Sequence, residues 1–425
     1  MQFIQHPPPS QWSMLLKRPR LEKQSLETQV AAILAGVKSG GDDALRKYSL
    51  HFDNVAPENF RVTQAEFHTA EQQCSPELIK AIETAKRNIG KFHSAQKDRI
   101  KKIETMPGVV CWRNSVAIES IGLYIPGGTA PLFSTILMLG IPARLAGCHH
   151  IYICTPPRSD ETIHPAILHT ARLVGIKKVY KVGGVQAIGA MAYGTQTIPK
   201  ADKLFGPGNQ YVTAAKQLVA KEGIAIDLPA GPSELAVIAD KSCNPAFVAA
   251  DLLSQAEHGA DSQVMLISDN DEVLNNIMHQ IKIQLPKLPR NRIIAAALNN
   301  SKAILLKNME QAIDLVNQYA PEHLILAVHN DEALAKKVVN AGSVFLGNYS
   351  PESVGDYASG TNHTLPTGGF ARAYSGVSLD SFVKKITFQK LSREGLSNIA
   401  ATVEIMAEHE ELLAHKNAVS IRKNS

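Results

Sequence analysis

Residues 121–154 read "IGLYIPGGTAPLFSTILMLGIPARLAGCHHIYIC". Two short β-rich apolar runs, "IGLYI" and "HIYIC", flank a helical stretch, "STILMLGIPARLAG". Strands joined through a helix return to the same edge and lie parallel, with the helix covering a sheet face. The same alternation continues outward. "KVYKV" precedes "VQAIGAMAYG", "DKLF" precedes "YVTAAKQLVAKEG", and "IAIDL" follows. A second series runs "LAVIA", helix 245–257, "VMLIS", helix 271–284, then a Pro/Arg-rich connection. It resumes with "KAILL", helix 309–319, "HLILAV", helix 331–340 and "SVFL". This is an α/β chain with two parallel-sheet units. No motif residue repeats between them, so duplication rests on the alternation alone.

Residues 10–105 read as helical. Leu26, Val30, Ile33, Leu34 and Val37 form one stripe, which the Ser-Gly-Gly at 39–41 breaks. The expected division is a mainly helical N-terminal region 1–105, a first α/β unit 106–234, a second 235–377, and a helical tail 378–425. Between the second unit and the tail, "GNYSPESVGDYASGTNHTLPTGG" (347–369) is rich in Gly, Ser, Pro and Asn. A segment of that length inside a compact protein is functional or disordered.

The composition, 44% hydrophobic and 20% charged over 425 residues, is that of a globular protein with room for two or more domains. Net charge is +5, and the densest basic run, "KDRIKK" (97–102), reads as a solvated helix face rather than a nucleic-acid footprint. The first residues lack a charged segment leading into an apolar one, so no signal peptide is expected. No run of about 18 apolar residues predicts a membrane span. Five cysteines without a CxxC argue against a disulfide framework or thiolate zinc site and for a reducing cytoplasm.

Three glycine-bearing turns fall at carboxyl ends of first-unit strands: "YIPGG" (124–128), "GGVQ" (183–186) and "GPGN" (206–209). That edge is where open parallel sheets bind ligands, and helix N-termini there favour phosphate. None is GxGxxG; together they suggest a nucleotide-sized ligand. In the second unit, Asn244 and Pro245 cap a helix on which Asp251, Gln255 and His258 share one stripe, with Gly259 as its stop. Gln255 and His258 are either a metal half-site or a polar helix end. They and "PEHL" (321–324) both map to the amino edge of the second sheet. The connection "DLPAGPSEL" (227–235) leaves the carboxyl edge of one unit and enters the amino edge of the next. It brings the two edges face to face, with Ser233 in the cleft wall. Asp356 and His363 lie in the polar stretch, and His415 in the tail with Glu410 five residues before it.

At this point longer blocks can be compared. "YIPGGTAPLFSTILMLGIPA", "VGGVQAIGAMAYGT", "FGPGN", "PAGPSE", "DLLSQAEHG", "PEHL", "GSVFLG", "GDYASGTNHTLPT" and "HKNAV" closely resemble histidinol dehydrogenase, in order, from about residue 105 to 420. The resemblance implies oxidation of L-histidinol to L-histidine with two NAD+ in succession and one zinc per active site. It implies two incomplete Rossmann-like units in an interwoven homodimer, with active sites shared between subunits. On the matching positions, the zinc ligands would be Gln255, His258, Asp356 and His415, the last from the partner, as with Glu410. Glu322 and His323 would be the acid/base pair. Ser233, His363 and Glu410 would contact substrate alongside the zinc ligands and His323, the glutamate chosen over Glu411 by counting back from His415. Tyr124, Gln186 and Asn209 would touch NAD.

The chemistry suits these residue types. Two imidazoles, a carboxylate and an amide oxygen fit Zn²⁺, and also Mn²⁺ or Co²⁺. An imidazole with a pKa of about 6.5 can take the hydroxyl proton as hydride leaves. Glu322 can activate the water that hydrates the aldehyde. In extended backbone the two side chains point to opposite sides unless a turn redirects them. A rival route has Cys148 or Cys154 attack the aldehyde, although neither has a base in sequence. Two other classes are open: a metal-dependent hydrolase, with no use for "GPGN", and a binding protein, for which Glu322 and His323 are dispensable.

Overall fold

The computed structural model describes residues 1–19, 23–127, 130–228 and 231–423. Gly128 of the first glycine turn and Pro229–Ala230 of the crossing lie outside the described residues. The strands are β1 (Gln2–Gln5), β2 (Ile103–Met106), β3 (Val109–Ala117), β4 (Ser120–Tyr124), β5 (His150–Thr155), β6 (Val179–Lys181) and β7 (Lys203–Phe205). They continue with β8 (Ala225–Ile226), β9 (Glu234–Ala239), β10 (Gln263–Ser268), β11 (Lys302–Leu305), β12 (His323–Ala327), β13 (Ser343–Leu346) and β14 (Val383–Leu391).

Two all-parallel sheets form, as expected from the alternation. The first has the order β6-β5-β4-β7-β8 and the second β1-β11-β10-β9-β12-β13. Counting each series from its own first strand, β4 or β9, both read 3-2-1-4-5, so the duplication now rests on topology. The strands are buried on both faces. In β5, Ile151 and Ile153 enter one core while Tyr152 and Cys154 enter another. In β9, Leu235 and Val237 face one core and Ala236 and Ile238 the opposite one. Near-continuous apolar runs are what a sheet covered by helices on both sides requires.

Several expectations change. The N-terminal region is not only helical: β1 is the sixth strand of the second sheet, paired with β11. Helix Pro9–Leu15 follows, and Trp12 and Leu16 enter that sheet's core. The break expected at Ser39–Gly41 is present: Gly41, at φ 52° and ψ −132°, is non-helical and separates two helices that together span Lys23–Asp53. The tail opens with a strand: β14 pairs antiparallel with β3, which pairs with β2. β14 falls within the stretch expected to be helical, because "VKKITFQKL" alternates polar and apolar residues only weakly and stays largely exposed. Helices Arg393–His409 and Leu413–Lys423 follow, the first packed on this small sheet and the second on the first. Helix 331–340 shortens to Asp331–Ala335. The polar stretch contains a helix, Glu352–Tyr357. Among the described residues no helix is long and apolar enough to cross a membrane.

The indole of Trp12 is 5% exposed, and its Nε1–H donates to the Pro7 carbonyl at 3.1 Å. Trp12→Ala is expected to destabilise the second unit by about 3–5 kcal/mol, read as an earlier urea transition. An unshifted transition would show that the N-terminal arm adds nothing to that core.

Candidate active site

The helix Pro245–Ala256 is capped by Asn244, whose Oδ1 accepts from the Ala246 N–H, and Pro245 follows at the first helical position. Gly259 is not the stop, since the helix ends at Ala256 with Glu257 as its C-cap and Gly259 is outside the left-handed region. Gln255 is therefore buried in the last turn, beside the amino ends of β9 and β12. Helix Met309–Tyr319 closes through Ala320 at φ 52°, and that turn delivers Glu322 and His323. Their side chains do not diverge as extended neighbours would. Glu322 Oε2 lies 3.7 Å from His323 Nδ1 and accepts from the Glu234 N–H at 2.9 Å.

The helix Glu352–Tyr357 brings Asp356 to the same place. Its Oδ1 lies 3.3 Å from His323 Nε2, an ion-pair distance without hydrogen-bond alignment, and both atoms are buried without a hydrogen-bond partner. His258 stands open to the cleft within electrostatic reach of Asp356, His323 and His363. His363 Nδ1 donates to the Asp356 carbonyl at 2.9 Å, which leaves Nε2 to accept from the Thr135 hydroxyl at 3.1 Å. Thr135 belongs to a first-unit helix, so this imidazole joins the two units. Gln255, His258, Glu322, His323, Asp356 and His363 are thus brought together.

Across the cleft stands the "GPGN" turn. Gly206, Asn209, Ser233, His258, Glu322 and His363 line one cavity, so the two edges do face each other. Asn209 caps the helix Gln210–Lys221, its Oδ1 accepting from the Tyr211 and Val212 N–H groups. Tyr124 and Gln186 are buried at 5% and 1% exposure behind that wall. The Tyr124 hydroxyl accepts from the Gly184 N–H, and Gln186 Nε2 donates to Asp53 at 3.4 Å. Glu410 and His415 are not brought in. Both are exposed on the tail, and no hydrogen bond or ion pair among the described residues links His415 to Gln255, His258 or Asp356. Of the four zinc ligands that the resemblance implies, one chain brings together Gln255, His258 and Asp356 without His415, and no group of three or more His, Cys, Asp or Glu ligands forms among the described residues. The residues present still fit a cation. Orphaned His323 and Asp356 atoms face each other, and the edge holds an excess of buried carboxylate.

Two contributors had no sequence signal. Glu352, 1% exposed, accepts from Ser254 Oγ at 3.0 Å. With the Gln255 amide nitrogen turned toward Glu352, 2.7 Å away, the amide oxygen accepts from the Glu234 N–H at 3.2 Å. The second is the buried ion pair Lys216–Asp227. Lys216 donates to the Gly206 carbonyl at 2.9 Å while Asp227 accepts from the Gly206 N–H at 2.8 Å. A carboxylate in a polar stretch and a lysine on an amphipathic helix both read as solvated. Cys148 and Cys154 are buried in the cores, and burial raises both thiols. Neither can supply the thiolate of the rival route.

Burial pushes Glu322 up to about 8 and Glu352 up to about 8. For His323, burial opposes the charged ring, but Glu322 and Asp356 outweigh it and raise the pKa. The surrounding cleft walls desolvate His258, open though its surface is to the cleft, and lower it; burial lowers His363; the Asp356 charge offsets both in part.

A family model for histidinol dehydrogenase matches residues 16–423. The chain belongs to the histidinol dehydrogenase family. The histidinol dehydrogenase of Bacteroides thetaiotaomicron is 57% identical over 425 residues, covering 100% of this chain and 99% of the relative. That of Xanthomonas axonopodis pv. citri is 52% identical over 394 residues, covering 92% and 91%. A crystal structure of histidinol dehydrogenase from Elizabethkingia anophelis superposes with a TM-score of 0.97 at 57% identity, covering 99% of this chain and 98% of that one. As a histidinol dehydrogenase family member the chain is an enzyme, which removes the binding-protein reading.

Asp251, on the same helix as Gln255, is raised by burial from 3.8 to about 7. A carboxyl raised on folding stabilises the fold while protonated. That contribution is complete below the unfolded value of 3.8 and lost as the pH climbs through about 7. Asp251→Asn in chelator-treated protein should flatten the decline in stability across this window and gain about 2 kcal/mol at its upper end, a figure discounted for partial hydration. Denaturant melts at several pH values read this, and parallel pH profiles for both proteins would contradict it.

Proposed function

We propose that the chain oxidises L-histidinol to L-histidine by way of histidinal, the last step of histidine biosynthesis, with two NAD+ and a zinc site completed across a homodimer. The observation that carries this reading is the convergence of Gln255, His258, Glu322, His323 and Asp356 on one sheet edge, opposite the "GPGN" turn. The 3-2-1-4-5 order of both sheets supports the Rossmann-like description. The first unit (106–234) would carry the cofactor, the second (235–377) the metal and catalytic groups, and the tail (378–425) would pack on the partner. Leu412, Leu413 and Ile421, exposed at 44%, 63% and 60% beside His415, support that packing.

Gln255, His258 and Asp356 would hold zinc from one chain, together with His415 of the partner subunit. Bound NAD+ supplies the hydride acceptor, and bound zinc supplies an anchor for the substrate's amine and imidazole. His323 Nδ1 lies 3.3 Å from the Glu234 carbonyl. Donation there leaves Nε2, on the Asp356 side, as the base. Asp356, its carboxylate charge offset by the zinc it holds, would no longer keep His323 protonated, and the neutral ring then removes the hydroxyl proton as hydride leaves carbon, which gives the aldehyde. Glu322, raised by burial, takes a proton from water as its oxygen adds to that aldehyde. The hydrate then loses a second hydride and a proton to give the carboxylate. Ser233 and His363, both in the cleft wall, would orient substrate, as would Glu410 of the partner subunit. Asn209 would contact NAD at the opposite wall, with Tyr124 and Gln186 behind it. A hydrolase has no use for that wall.

Histidinol and NAD+ added to metal-replete protein should yield two NADH per histidinol, and chelation should abolish the signal. One NADH would indicate a simple alcohol dehydrogenase, and none would refute the oxidoreductase. His323→Ala should lower kcat by about 10²–10⁴-fold. Mixing His323→Ala with His415→Ala chains should restore activity once subunits exchange. Failure to complement after verified exchange would place His415 in its own chain's site.

A further inference from the structure

We propose that Arg18 is a positioning residue for Glu322. It acts through Glu234, and the assignment rests on the reading above that Glu322 handles the attacking water. Arg18 follows the helix Pro9–Leu15, whose Trp12 is seated with Leu16 in the core of the second sheet. The arm thereby delivers a guanidinium to the amino end of β9. Arg18 Nη2 donates to Glu234 Oε2 at 2.9 Å and to the Tyr319 carbonyl at 2.7 Å, and Nε donates to Glu234 Oε1. The guanidinium carbon lies 4.1 Å from the centre of the Tyr319 ring. The pair is enclosed, with side-chain exposures of 13% for Arg18 and 3% for Glu234.

Glu234 is where this grip meets the catalytic pair. Its main-chain N–H donates to Glu322 Oε2 at 2.9 Å, and its carbonyl is 3.3 Å from His323 Nδ1. One peptide residue therefore touches both groups, and its side chain is held by Arg18 and by the Gly368 N–H at 2.8 Å. The fork geometry matters. A bidentate guanidinium fixes the direction of a carboxylate as well as neutralising it, which a point charge does not. Without Arg18, Glu234 is a buried carboxylate with no countercharge. Such a group draws toward water and pulls the start of its strand with it. The N–H that orients Glu322 moves in consequence. Arg18 reaches Glu322 only by way of Glu234.

The test is a charge cycle in the full-length, metal-loaded enzyme. Arg18→Met keeps the apolar stem against Tyr319 and removes the fork. It should lower kcat by about 10- to 100-fold, the scale of a displaced catalytic group, with KM for histidinol and NAD+ within twofold of wild type. Deuterium exchange of the segment 232–239 should accelerate in parallel. The double variant Arg18→Met/Glu234→Gln removes the uncompensated charge and should recover most of kcat and the slow exchange. A structural role alone would lower the melting temperature and leave kcat per folded enzyme unchanged. Retention of kcat within twofold in Arg18→Met, or a loss that the double variant shares in full, would overturn the proposal. Should Arg18→Met fail to fold, Arg18→Lys, which keeps charge without the fork, is expected to fall between wild type and that loss, and wild-type kcat in it would equally overturn the proposal. The exchange measurement needs no turnover. If the wild-type chain made no NADH from histidinol, the reading of function would fail while the strand displacement stayed readable.

Discussion

The crossing from Asp227 to Glu234 sets the relation between the two sheets, and both of its ends are ion-paired. Asp227 is paired with Lys216 at exposures of 0% and 3%, and Glu234 with Arg18. Buried pairs of this kind add little net stability, because desolvation offsets most of the attraction. Their value lies in direction. Lys216 and Asp227 together hold both peptide groups of Gly206. That residue sits at φ 137°, where a Cβ would meet the Tyr124 carbonyl oxygen at 2.1 Å. Only glycine fits there, so the cleft wall is fixed from three sides. At the other end the same chain segment supplies the N–H held by Glu322. Cleft wall and acid-rich edge are thus each fixed at a described end of this crossing.

The electrostatics of the edge follow from what it lacks. Glu322, Glu352 and Asp356 are enclosed around the His323 imidazole, with His363 and His258 also within reach of Asp356, and Asp251 stands nearby. Burial raises Glu322 and Glu352, while the neighbouring imidazoles outweigh burial at Asp356 and lower it. An acid-rich, enclosed edge with unpartnered polar atoms is poised to receive positive charge, which the proposed zinc would supply.

Much of this was legible in the residues. The two strand series follow from apolar runs that need no alternation when both faces are covered, and "NP" at 244–245 marks a helix start by its side-chain chemistry. The convergence of Gln255 with Glu322 and His323 follows from placing each on its strand or helix end. What was hidden depends on distant partners. β1 is only four residues and acquires its identity from β11. Arg18 and Glu234 are 216 residues apart, and no local pattern links them. Glu352 looks solvated until its helix packs on Ser254 and Gln255. His415 remains apart: no hydrogen bond or ion pair among the described residues joins it to Gln255, His258 or Asp356.

The pairing of residues 2–5 with 302–305 also constrains how the molecule is made. An edge strand separated from its partner by some three hundred positions closes a very long loop, and such contacts form late. During synthesis the first residues have no docking place until β11 has left the ribosome and joined β10. Until then the apolar face of Trp12 and Leu16 is uncovered, and the growing second sheet presents an open edge at β11. Assembly of the first unit can proceed without them. The N-terminal arm is therefore a clasp on the last-formed half, and the acid-rich edge beside it is among the last parts of the chain to mature.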